Sequence, residues 1–356
     1  MILTYKIKHN LNLSDELEKG RQVALFALKT KSRSSKDVKH IGLKSAIANQ
    51  ILKKYASNKK LKKISSVKLT VPSQAIKFEE GKIKIPCLKM QVDFSKDVEK
   101  INQIELDDTY AYVSCTVKEE KQKECDRWIG IDLNTTGHCC VATNSKTGKV
   151  LKLGKQANHF HQKYKNIRKN LQKKRKHKAV KKIKNKESRI VKDLNHKISK
   201  KVVQEAKSNN AGIVLEDLKE IRKTAKTSKK FRYALNSWSF YQLRNFIEYK
   251  AKLHGVPVVK TDPKYTSQQC SKCGLLGERK GKIFKCSCGH VENADVNASF
   301  VISLRHQGIL QSPIDRDIGE GRLARPTRIV ALKSQTSEPH RPLAVGVCQR
   351  CKALVT

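Results

Sequence analysis

Two closely spaced pairs of cysteines constrain this chain more than any other feature of its sequence. Two residues separate Cys270 from Cys273, one separates Cys286 from Cys288, and twelve lie between the pairs. Each pair predicts a short knuckle, and the spacer lets the two knuckles face each other across a tetrahedral metal site. The alternatives are a redox dithiol and an eroded site. Four cysteines at these spacings favour structural zinc, although the second knuckle is tighter than in most zinc ribbons.

Three isolated carboxylates form the second constraint. Asp132 follows Ile-Gly-Ile in a strand-like run, and Glu216 ends the run Ile-Val-Leu. Asp295 comes seven residues after the last cysteine pair and precedes an Ala/Val/Ile-rich segment, Val296 to Leu304, which predicts a helix with Asp295 in its first turn. A charge within an apolar run is costly unless it is paired or bound to metal, and Mg²⁺ prefers carboxylate ligands. Each residue also has a simpler reading, as a solvent-facing side chain or a helix cap, and Asp217 could replace Glu216. Together they predict a ribonuclease-H-like centre for phosphodiester hydrolysis.

The charge of the chain is strongly unbalanced. Lysine and arginine number 76 against 32 acidic residues, a formal net charge of +44 over 356 residues. Such an excess repels itself in the compact state unless a polyanion neutralises it. The sequence has no apolar run of about 18 residues and no export signal. We therefore expect nucleic acid rather than a membrane as the partner, and a cytoplasmic location.

The basic residues are most concentrated between positions 163 and 192. Fifteen of these thirty residues are lysine or arginine, and Glu187 is the single acidic one. An apolar stripe from Val191 to Val202 has helical spacing and predicts a long helix or a helical pair. The simplest reading is a solvated helix face, but the charge density favours a surface that follows phosphates. The candidate nucleic-acid contacts are Lys173, Lys174, Arg175, Lys176, Lys181 and Lys182.

Periodicity divides the chain into three parts. Residues 1–125 alternate apolar with polar positions, which predicts a β-barrel with a helical insertion at about 14–60. Residues 126–304 alternate strands with amphipathic helices, which predicts an α/β sheet, and the zinc ribbon interrupts this part at about 266–292. Residues 305–356 hold four of the eight prolines and little periodicity, so we expect a loosely ordered tail.

Several motifs follow one another in a fixed order between residues 128 and 304. They are Ile129-Gly-Ile-Asp132, Val214-Leu-Glu-Asp-Leu218, Leu235-Asn-Ser-Trp238 with Tyr241-Gln-Leu243, Asp262 to Gly274, and Ala294-Asp-Val-Asn-Ala-Ser299. In order and spacing this part resembles the transposon-encoded TnpB family, the OrfB proteins of insertion sequences. The last motif is similar to the one that closes their nuclease site. Residues 1–125 resemble the family only in architecture, as a wedge barrel with a helical recognition insertion.

The resemblance implies an RNA-guided DNA endonuclease of transposon origin, related to type V CRISPR effectors. The implied fold is an α/β ribonuclease-H-like (RuvC) nuclease domain with an inserted zinc ribbon, and the implied partners are a guide RNA and a target DNA. Asp132, Glu216 and Asp295 take the roles of magnesium-binding catalytic carboxylates. The implied zinc ligands are Cys270, Cys273, Cys286 and Cys288.

Two other functions stay open at this point. A nuclease-inactive, RNA-guided DNA-binding regulator would use the same basic surface without needing the carboxylates to converge. A strand-transferring transposase would use the same fold and the same metals. The three filled carboxylate positions favour a nuclease over the regulator. A zinc ribbon directly before Asp295 favours the guided nuclease over the transposase.

Overall fold

The apolar residues of the chain collect into two large clusters and one small one. The computed structural model describes residues 1–58, 61, 63–134, 137–218 and 240–313. One large cluster draws on residues before position 116, and the other on residues after position 128. The small cluster contains Cys270, Phe284 and Ala294.

The first part of the chain contains seven strands and two α-helices among its described residues. They are β1 (Ile2–Lys8), α1 (Ser14–Thr30), α2 (Ser45–Ala56), β2 (Leu69–Pro72), β3 (Lys77–Glu79), β4 (Lys82–Ile85), β5 (Met90–Asp93), β6 (Lys100–Leu106) and β7 (Tyr110–Thr116). Short 3-10 helices cover Ser35–Ile41, Ser73–Ala75 and Pro86–Leu88. The predicted helical insertion at about 14–60 therefore corresponds to α1, a 3-10 helix and α2.

These strands form two antiparallel sheets in the described residues. One has the order β1-β7-β6-β2 and the other the order β3-β4-β5. The predicted barrel is not confirmed, because neither sheet closes on itself. The sequence reading also missed β6. Its register shifts between Ile101 and Gln103, and such a bulge breaks the alternation from which a strand is predicted.

The second part of the chain carries the candidate site residues. Its elements are β8 (Arg127–Leu133), β9 (Cys140–Asn144), β10 (Val150–Leu153), α3 (Lys155–Lys173), α4 (His177–Ile183), α5 (Lys186–Ser208), β11 (Ala211–Glu216), α6 (Phe240–Leu253), β12 (Val258–Thr261), β13 (Glu278–Lys280), β14 (Ile283–Lys285), β15 (Val291–Asn293) and α7 (Ala294–His306). Strands β13, β14 and β15 form a small antiparallel sheet beside the cysteines.

A five-stranded mixed sheet organises this part. Its order is β10-β9-β8-β11-β12. Strands β8, β11 and β12 are parallel, whereas β9 pairs antiparallel with both β8 and β10. Ile129 and Ile131 on β8 share a core with α3, α5 and α6. Alternate residues of a strand point to opposite faces, so Gly130 and Asp132 face the other way. The predicted α/β architecture is thus present.

Two features of this part differ from the prediction, the number of basic helices and the start of the tail. The basic region forms three helices instead of one or two, with Arg175 in a left-handed turn (φ 51°) between α3 and α4. The loosely ordered tail does not begin at residue 305, because α7 continues to His306 and Leu310 is only 4% exposed. The rest of the predicted tail, residues 314–356, lies outside the described residues.

Candidate active site

The four cysteines of the two knuckles come together at one point. Their sulfur atoms all lie within 4.8 Å of one another. The Sγ atoms of Cys270 and Cys288 are 3.7 Å apart, and those of Cys273 and Cys286 are 3.5 Å apart. A tetrahedral zinc ion with Zn–S bonds of about 2.3 Å holds its sulfurs about 3.8 Å apart. The cluster therefore has the dimensions of a zinc site, and the four thiols fit that metal.

Asp132 and Glu216 end two neighbouring parallel strands. Ile131 on β8 pairs with Leu215 on β11, so the next position of each strand carries a carboxylate. Neighbouring strands lie about 4.8 Å apart, which places the two acids side by side. Asp217 instead lies near Arg244, with 3.6 Å between its Oδ1 and the guanidinium Nη1. Of the two adjacent acids, Glu216 is thus the one beside Asp132.

Helix α7 lies against β8 at a glycine. A Cβ atom built on Gly130 would be 2.0 Å from the carbonyl oxygen of Ser299 and 2.7 Å from the backbone nitrogen of Ser303. Only glycine allows the two backbones to approach so closely. Asp295 precedes Ser299 by four residues, about one helical turn. Because Asp132 follows Gly130 on the same face of β8, this contact brings Asp295 towards Asp132.

Asp295 occupies the first turn of α7, as the sequence predicted. The side chain of Asn293 caps this helix by accepting hydrogen bonds from the backbone N–H groups of Asp295 and Val296. Asp295 itself is only 4% exposed. It accepts from Arg279 at 3.1 Å and from the ammonium group of Lys282. Two cations from the small β-sheet therefore neutralise a buried carboxylate of the helix.

The other two carboxylates have raised pKa values. Burial, together with the nearby charge of Asp295, raises the pKa of Asp132 to about 6, while a hydrogen bond from Asn134 acts in the opposite direction. Burial and the charge of Asp132 raise the pKa of Glu216 to about 8, against a 2.5 Å hydrogen bond from Thr266. The charge of Asp295 thus acts on Asp132, and that of Asp132 acts on Glu216, so the three carboxylates lie near one another.

The donor set suits hard divalent cations. Asp132 and Asp295 are buried and Glu216 is half-buried, and all three offer oxygen ligands. A bound cation would offset the repulsion that Asp132 experiences from Asp295 and that Glu216 experiences from Asp132. The three carboxylates are more widely spaced than the thiols. Among the described residues, the four cysteines form the one group of three or more metal-ligating side chains whose ligand atoms all lie within 4.8 Å of one another. The residues present would therefore fit a hard divalent cation such as magnesium.

Sequence reasoning missed the polar groups that hold these acids. Arg279 lies on β13 and Lys282 lies in the turn before β14. Asn134 follows the β8 carboxylate by two residues, and Thr266 lies before the first knuckle. One signal was available, because both cations lie in the basic run Arg279-Lys-Gly-Lys282 inside the ribbon. No sequence signal connected Thr266 to Glu216, which lies 50 residues earlier in the chain.

The basic region presents its charge outward. Thirteen of its fifteen lysines and arginines are exposed, and only Lys165 and Arg168 are half-buried. Glu187 on α5 holds α3 in place through Arg168 and through His161, whose Nδ1 lies 2.7 Å from the carboxylate. The exposed candidates comprise Lys173 at the end of α3, the three basic residues at 174–176, and Lys181 and Lys182 on α4.

The motifs and this geometry agree with comparisons to known proteins. A family model described as the Cas12f1-like TNB domain matches residues 240–302, from α6 into α7. A TnpB-like protein of Methanocaldococcus jannaschii is 37% identical over 206 residues, which cover 54% of this chain and 74% of that protein. The chain belongs to the TnpB family. The resemblance drawn from its motifs is therefore confirmed.

This TnpB-family chain is also similar to CRISPR effectors. A CRISPR-associated endodeoxyribonuclease Cas12f1 of Sulfoacidibacillus thermotolerans is 41% identical over 115 residues, or 31% of this chain and 26% of that protein. A solved structure of a Cas12f1–sgRNA–target DNA complex aligns over 81% of each chain with a TM-score of 0.53 and 18% identity. At that identity the likeness indicates a shared fold. Among the described residues of the TnpB-family chain, no helix has the length and apolarity to cross a membrane.

Proposed function

We propose that this TnpB-family protein is an RNA-guided DNA endonuclease of transposon origin. The approach of the buried Asp132 and Asp295 and the half-buried Glu216, from β8, α7 and β11, carries the proposal. The endodeoxyribonuclease name of the Cas12f1 relatives and the guide RNA and target DNA in the related complex support it. The proposed fold is a ribonuclease-H-like RuvC domain over residues 126–304, preceded by a wedge-like module over 1–125. Such an enzyme would act in the cytoplasm on DNA.

The proposed roles follow from the contacts of each residue. Asp132, Glu216 and Asp295 would hold magnesium, which when bound would activate a water molecule and stabilise the leaving oxygen of the phosphodiester. Arg279 and Lys282 place two positive charges beside Asp295, where they attract the phosphate oxygens of a strand in the site. The four cysteines hold zinc, which fixes the ribbon that carries both cations.

The basic helices have a separate proposed role. Guided nucleases leave sequence recognition to base pairing and hold the heteroduplex through its backbone. This requires a large positive surface that does not read bases. Helices α3 to α5 provide one, because their exposed lysines and arginines greatly outnumber their acids. We assign phosphate contacts to the segments 173–176 and 181–182.

The experiment starts from the RNA that copurifies with the protein. Sequencing this RNA supplies the guide, and a matching duplex then tests cleavage in Mg²⁺. Asp132→Asn, Glu216→Gln and Asp295→Asn should each reduce cleavage at least about a hundredfold while RNA and target binding persist, because metal-held charge stabilisation is worth several kcal/mol. Asp193→Asn is the matched control, since Asp193 is exposed on α5 and pairs with the exposed Lys197.

Each outcome separates the candidate functions. Guided binding without cleavage by the wild-type protein in Mg²⁺ would favour the regulator. Joining of DNA strands without dependence on RNA would favour the transposase. Undiminished cleavage by Asp132→Asn would overturn the assigned site.

A further inference from the structure

One buried amide joins the thiol cluster to the carboxylate helix. Asn297 is fully buried and lies on the first turn of α7, two residues after Asp295. Its Nδ2 donates to the carbonyl oxygen of Gln269 at 2.7 Å, and its Oδ1 accepts from the backbone N–H of Ser271 at 3.0 Å. These two peptide groups flank Cys270. A single side chain thus holds the backbone on both sides of a thiol ligand.

The region around this contact is cross-linked further. The side chain of Gln269, also fully buried, donates to the carbonyl oxygens of Gly274 at 3.0 Å and Gln311 at 2.8 Å. It accepts from Arg305 at 2.8 Å. The knuckle is therefore connected to both ends of α7, through Asn297 at the start and through Gln269 at the end.

The contact needs an amide. The position requires one donor and one acceptor in a site without water access, and among side chains of this size asparagine offers both without charge. Leucine has a similar volume but would leave the Gln269 carbonyl and the Ser271 N–H buried without partners, which is unfavourable. Asparagine is a poor helix former in general, so its presence inside α7 is explained by this contact rather than by helix stability.

We propose that Asn297 is the positioning residue that couples the thiol cluster to the carboxylate site. When the four thiolates are held together, the peptide groups around Cys270 are fixed, and Asn297 transfers that fixed position to α7. Asp295 on the same turn is then held in its position near Asp132. The inference rests on the proposed nuclease function and deepens it, because it makes the zinc ribbon a determinant of cation affinity at the catalytic carboxylates.

The test measures Mn²⁺ binding by electron paramagnetic resonance without nucleic acid. It compares wild type and Asn297→Leu, each with one zinc and after removal of zinc by a chelator. We expect zinc removal to weaken Mn²⁺ binding by wild type about tenfold or more, the effect typical of lost outer-sphere support. Asn297→Leu should show this weakening with its zinc in place, and removing zinc should then change little. Asn297→Ser replaces it if the leucine variant does not fold.

The control is the same change at a different buried amide. Asn195 on α5 is equally buried, and its Nδ2 donates to Gln242 at 3.0 Å. Asn195→Leu should lower stability yet keep the full response of Mn²⁺ affinity to zinc. The inference is wrong if zinc-loaded Asn297→Leu binds Mn²⁺ like wild type, or if zinc removal weakens it by the wild-type factor.

A second measurement separates this inference from the nuclease proposal. If Asp295→Asn leaves Mn²⁺ binding unchanged, the assigned catalytic metal site is wrong. Hydrogen exchange at residues 294–299 then decides the coupling. Protection should fall on zinc removal in wild type and be low already in zinc-loaded Asn297→Leu. Equal protection in the two zinc-loaded proteins would overturn the coupling.

Discussion

Gly130→Ala tests whether the contact between β8 and α7 sets the geometry of the carboxylates. The added Cβ would lie 2.0 Å from the carbonyl oxygen of Ser299, whereas ordinary contact begins at 3.4 Å. The helix must therefore retreat by about 1.4 Å, since the opposing atoms belong to its backbone and cannot rotate away. Such a retreat strains the 3.0 Å hydrogen bond from the Ser303 hydroxyl to the Trp128 carbonyl.

The expected cost has two parts. Overpacking of this kind destabilises a fold by about 1–3 kcal/mol, which lowers the melting temperature by about 2–12 °C for a domain of this size. A misplacement of about 1 Å at a catalytic group costs about a hundredfold in rate. Because α7 carries Asp295, guided cleavage at a temperature where the variant is folded should fall by about that factor.

Gly212→Ala is the matched control in the neighbouring strand. Its Cβ would lie 2.4 Å from the indole of Trp128, a side chain that can rotate and that meets α7 at His306, eleven residues from Asp295. We expect thermal melting to report destabilisation in both variants and cleavage to fall only in Gly130→Ala. Wild-type cleavage by folded Gly130→Ala would refute the reasoning, as would an equal loss in Gly212→Ala.

Three further predictions concern metals, phosphates and protons. Elemental analysis should find one zinc per chain, and Cys270→Ser should lose it. Cys115→Ser is the control and should keep the zinc, because the Cys115 thiol lies in the core of the first part of the chain. Well-folded wild-type protein without zinc would contradict this prediction. Substitution of the basic residues 173–176 by glutamate should weaken binding to nucleic acids of any sequence. The slope of log K against log salt concentration should become shallower by about 0.9 per lost phosphate contact. A changed target preference at an unchanged slope would mean that these residues read bases. Because burial raises the pKa of Asp132 to about 6 and of Glu216 to about 8, the metal-free folded state holds protons that the unfolded chain releases above about pH 4. Its unfolding free energy in chelator should therefore fall as pH rises from about 5 to 8, and the Asp132→Asn/Glu216→Gln variant should show a flatter curve; identical curves would exclude these pKa values.

Local patterns were enough to predict the elements that carry the site. The apolar run before Asp132 predicts β8, the run before Glu216 predicts β11, and the Ala/Val/Ile-rich segment after Asp295 predicts α7. The knuckle spacing predicts the thiol cluster, because metal geometry fixes how four cysteines must meet. In each case the information lies within a few residues of the functional group.

Contacts between distant segments escaped the same reasoning. Thr266 bonds to Glu216 across 50 residues, and Asn297 bonds to Gln269 across 28. Both residues lie within the motifs of this part, but the sequence does not identify their partners, because the packing of α7 and the knuckle against the sheet determines them. Strand β6 was missed for a local reason, because its bulge interrupts the alternation.

The charges around Asp295 explain why a ribbon stands directly before this carboxylate. An acid that is only 4% exposed is unstable as an anion unless positive charge lies beside it. Helix α7 has no lysine or arginine in its first turn, and both partners of Asp295 come from the β13–β14 hairpin. The backbone N–H of Ala294 also donates to the carbonyl oxygen of Lys282 at 2.9 Å, so the hairpin and the helix start are held in one unit. The ribbon thus supplies both the backbone contact and the positive charge that hold the third carboxylate, and in the proposed nuclease a zinc ion that fixes the ribbon would support the catalytic site.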